Sequence, residues 1–177
     1  MASAITDIGM EITPDATFEE IDEVIRSIVD KKIEKYRSKT FSTQEEASEY
    51  IFASSYWDDS RKPFVAFNGK TDTTAWAPRN LSDINGEYIG YNFKEKTFIN
   101  DMYLEIFVDN DNISFVIQGS EDTEITENSI WEDLSEIIEL PCNQVIASYT
   151  YNIESNKSYS AYRMLFKSGK KSWNTCI

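Results

Sequence analysis

Tyr103-Leu104-Glu105-Ile106-Phe107-Val108-Asp109-Asn110-Asp111-Asn112-Ile113-Ser114-Phe115-Val116-Ile117-Gln118 is the stretch on which the reading of the fold turns. Two runs of aromatic and branched residues, the kind that fit a pleated surface, flank four Asx residues whose short side chains bond their own backbone. The pattern predicts a β-hairpin: strands Tyr103–Val108 and Ile113–Gln118 joined by the turn 109–112.

Toward the C-terminus, Ile130, Trp131, Leu134, Ile137 and Ile138 fall within an arc of roughly 120° on a helical wheel, which predicts a helix over Asn128–Leu140, closed by Pro141. Gln144–Ile153 and Ala161–Lys167 alternate as strands and are expected to form a second hairpin, with a short last strand near Trp173. Toward the N-terminus, Glu87–Phe93 reads as a strand. Pro63–Phe67 and Thr73–Trp76 read as strands around an Asn68-Gly69 turn, with Pro78 and Asn80 marking a loop.

Thr17-Phe18-Glu19-Glu20 is a capping box, followed by Ile21, Val24, Ile25, Ile28, Val29, Ile33 and Tyr36 on one helical face. Acids lead and bases trail along this helix, the order its dipole favours. Ser42-Thr43-Gln44-Glu45 is a second box, opening a shorter helix through Ala47, Tyr50 and Ile51 that ends near Tyr56-Trp57-Asp58-Asp59. The expected fold is therefore α+β. An arm, residues 1–16, precedes a single domain, 17–177, in which an antiparallel sheet of hairpins packs with about three helices.

Composition narrows function. The chain has 177 residues, 41% of them hydrophobic, enough for one continuous core. It has no histidine, which excludes histidine triads, general bases and metal ligands. Cys142 and Cys176 are too few for a disulfide framework and are read as reduced thiols. No apolar run reaches the roughly 20 residues that cross a bilayer, so no membrane partner is expected. The N-terminus lacks a secretion-signal pattern, and a cytoplasmic setting, of a producing or infected cell, is expected. Richness in Ile, Asn, Lys and Tyr is what an AT-rich coding sequence, such as a phage's, would give.

Three motifs are set aside. Asn68-Gly69-Lys70-Thr71 lacks the earlier glycine of a phosphate-binding loop. Asp58 and Asp59 are neighbours whose side chains diverge, as at a solvated helix end. Asp109-Asn110-Asp111-Asn112 starts like a calcium loop, but Ile113, Ser114 and Ser120 stand where a ligand, a glycine and a bidentate glutamate belong. No catalytic residue, metal or cofactor is assigned, and the chain is read as a binding protein rather than an enzyme.

Charge is segregated along the chain. The formal net charge is −14, from 17 bases and 31 acids. Between Lys96 and Pro141 stand Asp101, Glu105, Asp109, Asp111, Glu121, Asp122, Glu124, Glu127, Glu132, Asp133, Glu136 and Glu139, with no base among them. On the predicted helix Glu132, Asp133, Glu136 and Glu139 share the face opposite the apolar one, spaced by about 6 Å like successive phosphates of a nucleic acid. These twelve acids are the expected partner-binding residues. The partner expected is a cationic protein, a nucleic-acid-handling enzyme whose basic site they block, with no direct contact to nucleic acid. This describes an inhibitor, a DNA mimic of the immunity or anti-defence type carried by a phage. The alternative is an assembly subunit, such as a virion component, in which the acidic face of one copy meets the basic C-terminal hairpin of the next.

Overall fold

The runs 103–108 and 113–118 are strands, but they do not pair with each other. The computed structural model describes residues 17–19, 21–22, 26, 39–70, 75–108, 111–142, 145–153, 155 and 157–170. The chain divides into two compact units, Met1–Lys39 and Thr40–Ile177. In the first, Phe18, Glu19, Ile21, Asp22 and Arg26 are helical. Ile21 N donates to Thr17 O at 3.0 Å, so the helix opens after Thr17 as its capping sequence predicts, and Arg26 pairs with Asp22 one turn away at 2.8 Å. Phe18 is exposed rather than buried. The arm 1–16 and the apolar positions Val24, Ile25, Ile28, Val29, Ile33 and Tyr36 lie outside the described residues.

The second unit is a sandwich of two antiparallel sheets, which corrects the α+β expectation. Its elements are α1 (Gln44–Ala47), β1 (Ile51–Ala53), β2 (Tyr88–Thr97), β3 (Asp101–Phe107), β4 (Ile113–Ser120), β5 (Glu132–Asp133), β6 (Ile138–Leu140), β7 (Ile146–Asn152) and β8 (Tyr159–Ser168). The large sheet has the order β1-β2-β8-β4-β5, with β6 also on β4, and the small sheet is β3 with β7. Both expected hairpins are therefore split: β3 and β4 go to different sheets, and so do β7 and β8. Leu104 and Ile106 point inward from β3, opposite Tyr149 and Ala147 of β7. They meet Phe115, Ile117, Met164 and Phe166 of the large sheet, with Phe115 and Tyr151 edge to face at 5.5 Å. Each such side chain contributes roughly 1.5–3 kcal/mol by leaving water. Two inner faces with this alternation are what a sandwich needs, and strands that cross between sheets cover both.

The helix expected over Asn128–Leu140 is absent. β4 takes the segment as two short edge strands, with Gln118 opposite Asp133 and Phe115 opposite Ile138. Leu134 N bonds Ile117 O at 2.8 Å. Ile130 and Ile137, central to the helical reading, are 81% and 60% exposed. The apolar spacing is compatible with either structure, and an open β4 edge offers backbone partners that like charges at Glu132 and Glu136 would not help a helix to supply.

Smaller corrections have local causes. Thr43 rather than Ser42 caps α1, accepting from Glu46 N at 3.2 Å while Glu46 accepts from Ser42 N at 3.0 Å, so the box is real but one residue later. The helix stops after one turn because Ile51 enters β1 opposite Tyr91. Pro63–Phe67 is a 3₁₀ turn with Pro at its first position, not a strand. Ala75 and Trp76 are not in a strand, and residues 71–74 and the final strand near Trp173 lie outside the described residues.

Candidate functional site on the outer face of the large sheet

Strand alternation turns Phe52, Tyr88, Gly90, Val116, Gln118, Arg163 and Leu165 away from the core, because Ile89, Phe115, Ile117, Met164 and Phe166 face into it. Such a face is normally solvated, yet every residue of β4 is buried. The segment after β4 folds back across it: Asn92 Nδ2 donates to Thr123 O at 2.9 Å, and the Trp131 ring comes to rest 5.8 Å from that of Phe52.

Arg163 stands at the centre. Its guanidinium carbon lies 4.0 Å from the Trp131 ring centroid and 4.8 Å from that of Tyr88. Phe52 closes the group, 6.2 Å from Tyr88. Arg163 Nε donates to Gln118 Oε1 at 2.8 Å, and Gln118 Nε2 donates to Asp133 Oδ1 at 2.6 Å, so one relay fixes both charged ends. Gly90 makes room: a Cβ there would collide with Phe52 Cζ and lie 2.8 Å from Arg163 Cβ. Burial pulls the Arg163 pKa below its ordinary value, while Tyr88 and Asp133 act the other way. Guanidinium remains charged under all ordinary conditions.

The polar edge of this cluster carries groups without a protein partner among the described residues. Among the described residues nothing accepts from Arg163 Nη1 or Nη2, from Trp131 Nε1 or from the Tyr88 hydroxyl, and Asp133 Oδ2 accepts from nothing. Aromatic faces with unused donors and one unused carboxylate oxygen form a surface suited to a ligand with both an apolar face and a polar rim.

The twelve acids of the base-free stretch do not share a face. Asp101 and Glu105 lie on β3, where Glu105 accepts from the Tyr103 hydroxyl at 2.6 Å. Asp109 lies outside the described residues. Asp111 lines an open cavity of about 490 Å³ at the loop end of the sandwich, with Asp83, Asn85, Lys167 and Lys170. Glu121 is held by Lys157 at 2.6 Å and Lys96 at 2.5 Å, Glu132 by Lys157 at 3.0 Å, and Glu124 by Lys94 at 3.6 Å. Asp122 caps Ile130 N at 3.1 Å. Glu127, Glu136 and Glu139 are exposed on separate turns and strands, and only Asp133 joins the aromatic cluster.

The set-aside motifs are structural. Asp58 caps a 3₁₀ turn through Ser60, whose hydrogen bond holds the Asp58 pKa below its ordinary value, and Asp59 pairs with Lys62 at 2.9 Å. Asn68 Oδ1 accepts from Lys70 N at 2.8 Å, an Asx turn. Among the described residues no helix is long and apolar enough to cross a membrane, and no three acidic, cysteine or histidine side chains gather as for a metal.

Comparison with known proteins bears on the fold. No protein-family model matches the chain, and no curated protein matches it in sequence. Solved structures do match. One is chitosan-binding module 1 of a chitosanase/glucanase from Paenibacillus sp. IK-5 (TM-score 0.51, 16% identity, covering 71% of this chain and 86% of that one). Another is the family 32 carbohydrate-binding module of AlyQ, in complex with 4,5-unsaturated mannuronic acid (TM-score 0.51, 16% identity, 71% and 87%). A third is the family 32 module of NanJ from C. perfringens, in complex with galactose (TM-score 0.50, 13% identity, 73% and 88%). The chain has the sandwich fold of carbohydrate-binding modules.

Two expectations are corrected with it. A DNA-mimic inhibitor needs a continuous acidic face for a cationic protein, but the segment meant to carry that face as a helix forms edge strands, three of the twelve acids, Glu121, Glu124 and Glu132, are ion-paired within the chain, and the fold is that of the matched carbohydrate-binding modules. The head-to-tail subunit fails similarly, since Lys157 and Arg163 of the basic C-terminal segment are engaged within the chain. The sequence does carry a trace of the cluster: Arg163 interrupts the apolar and aromatic run Ala161–Phe166 of β8. Nothing in its spacing announces that Trp131, remote in sequence, covers it.

Proposed function

We propose that the chain is a non-catalytic carbohydrate-binding module whose ligand lies on the outer face of the large sheet. The observation that carries this is the cluster of Phe52, Tyr88, Trp131 and Arg163, whose polar edge has donors and an acceptor without a protein partner among the described residues. A pyranose has an apolar C–H face, which an aromatic ring covers, and a rim of hydroxyls that pair with planar donors and carboxylates. The sandwich fold, shared with modules in complex with galactose and with an unsaturated mannuronic acid, supports the reading. The twelve acids then have different tasks: Asp133 belongs to the ligand edge, and Glu121, Glu124 and Glu132 to structural ion pairs.

A glycan array followed by isothermal titration tests this. Binding should fall at least about tenfold in Trp131→Ala and in Phe52→Ala, and should be unchanged in Asp111→Asn at the loop-end cavity. Failure of every glycan to bind would overturn the proposal. Loss in Asp111→Asn with full binding in Trp131→Ala would move the site to the loops.

A further inference from the structure

The polar edge of the cluster has a definite donor and acceptor order. Nε of Arg163 is committed to Gln118, which leaves the fork of Nη1 and Nη2, whose geometry matches two carboxylate oxygens. Beside it, reached through Gln118, stands Asp133, whose Oδ2 has no donor among the described residues and can accept a hydroxyl proton.

Three ligand classes can be weighed against this order. A neutral sugar would use the rings and Asp133 but offer the planar fork no carboxylate to pair with, leaving Asp133, across Gln118, as its nearby counter-charge. A bare anion would use the fork but meet Asp133 with nothing to donate. A polyanion such as nucleic acid would meet a protein of net charge −14. A ligand carrying one carboxylate per ring, hydroxyls next to it and an apolar ring face satisfies all the groups at once.

We infer that this face selects acidic saccharides, the Arg163 Nη fork holding a uronate carboxylate while Asp133 accepts from a neighbouring hydroxyl and the aromatic side chains around the fork pack against the ring. The inference rests on the carbohydrate-binding reading and names its ligand class. No bond is made or broken.

The test uses the full chain with trisaccharides of galacturonate, glucuronate and mannuronate, the same sugars as neutral methyl esters, neutral oligosaccharides, and acetate, each titrated calorimetrically. At least one uronate trisaccharide should bind about tenfold or more tighter than its ester, and Arg163→Lys, which keeps the charge and removes the fork, should bring the acid to the level of the ester. Acetate should not saturate in the same range. Equal binding of acid and ester, binding of neutral sugars alone, or acetate binding as tightly as a trisaccharide would each overturn the inference while the carbohydrate-binding reading stands. No binding of any saccharide overturns both. The comparison of acid with ester needs no variant, so it stands whether or not Arg163→Lys folds.

Discussion

The guanidinium carbon of Arg163 lies 4.0 Å from the centroid of the Trp131 ring, across the outer face of the large sheet. A cation over an indole contributes about 0.5–1 kcal/mol when exposed and about 2 kcal/mol when desolvated, and this one is half-buried. Trp131→Ala should therefore lower stability by about 1–2 kcal/mol in urea unfolding, and Trp131→Phe by less. A Trp131→Ala protein as stable as the parent would show that the ring lies free of the sheet.

Gly90 sets how closely Phe52 and Arg163 approach. A methyl group there meets Phe52 Cζ, the Tyr162 carbonyl oxygen at 2.5 Å and Arg163 Cβ at 2.8 Å. Backbone cannot yield as a side-chain tip does, so Gly90→Ala should cost about 1–3 kcal/mol, as overpacking does. It should also shift the Arg163 Nε resonance, because the bond to Gln118 must move.

Strand positions were largely legible from composition alone: β2, β3, β4, β7 and β8 all lie within or close to segments rich in branched and aromatic residues. Their partners were not. Alternation in Leu104-Glu105-Ile106 states that one face is buried, but a hairpin and a sandwich crossover bury it equally well, and 109–112 joins strands of different sheets as readily as of one. Asn128–Leu140 misled for a related reason. Its apolar spacing fits a helix, and only the presence of the β4 edge decides otherwise. The site is illegible in the sequence because it gathers Phe52, Tyr88, Trp131 and Arg163 from four separated segments, whereas the strongest pattern in the sequence, charge, belongs to acids with separate structural tasks.

Lys157 bridges Glu121 and Glu132, and with Lys96 it lowers the Glu121 pKa to about 2. A carboxylate whose folded pKa is depressed contributes stability above its unfolded pKa, and loses it as pH falls through the folded value. This contribution is present above pH 4.5 and disappears between there and about 2. Lys157→Ala should return Glu121 toward the ordinary carboxylate range and move Glu132 up as well, both read by carbon-detected NMR titration. Because all three groups are solvent-exposed, salt should weaken the effect. A Glu121 titration unchanged in the variant would assign the shift to Lys96 alone.

Tyr151 places its hydroxyl inside the sandwich with no hydrogen-bond partner among the described residues, its ring edge to face with Phe115. A buried hydroxyl without a partner gives up its bonds to water for nothing in return, at a cost of about 1–3 kcal/mol. Tyr151→Phe removes that cost and leaves the ring packing intact, so the variant should be more stable than the parent by about 1 kcal/mol in urea unfolding. The same burial, with a smaller contribution from Tyr149, pushes the phenol pKa up to about 12 from an ordinary 10. Here the folded state holds the proton more tightly than the unfolded state. The parent should therefore lose stability as pH rises from about 10 toward 12, and the phenylalanine variant should lose less over that interval. Equal alkaline profiles for the two proteins, or a less stable variant, would mean that the hydroxyl has a partner in solution.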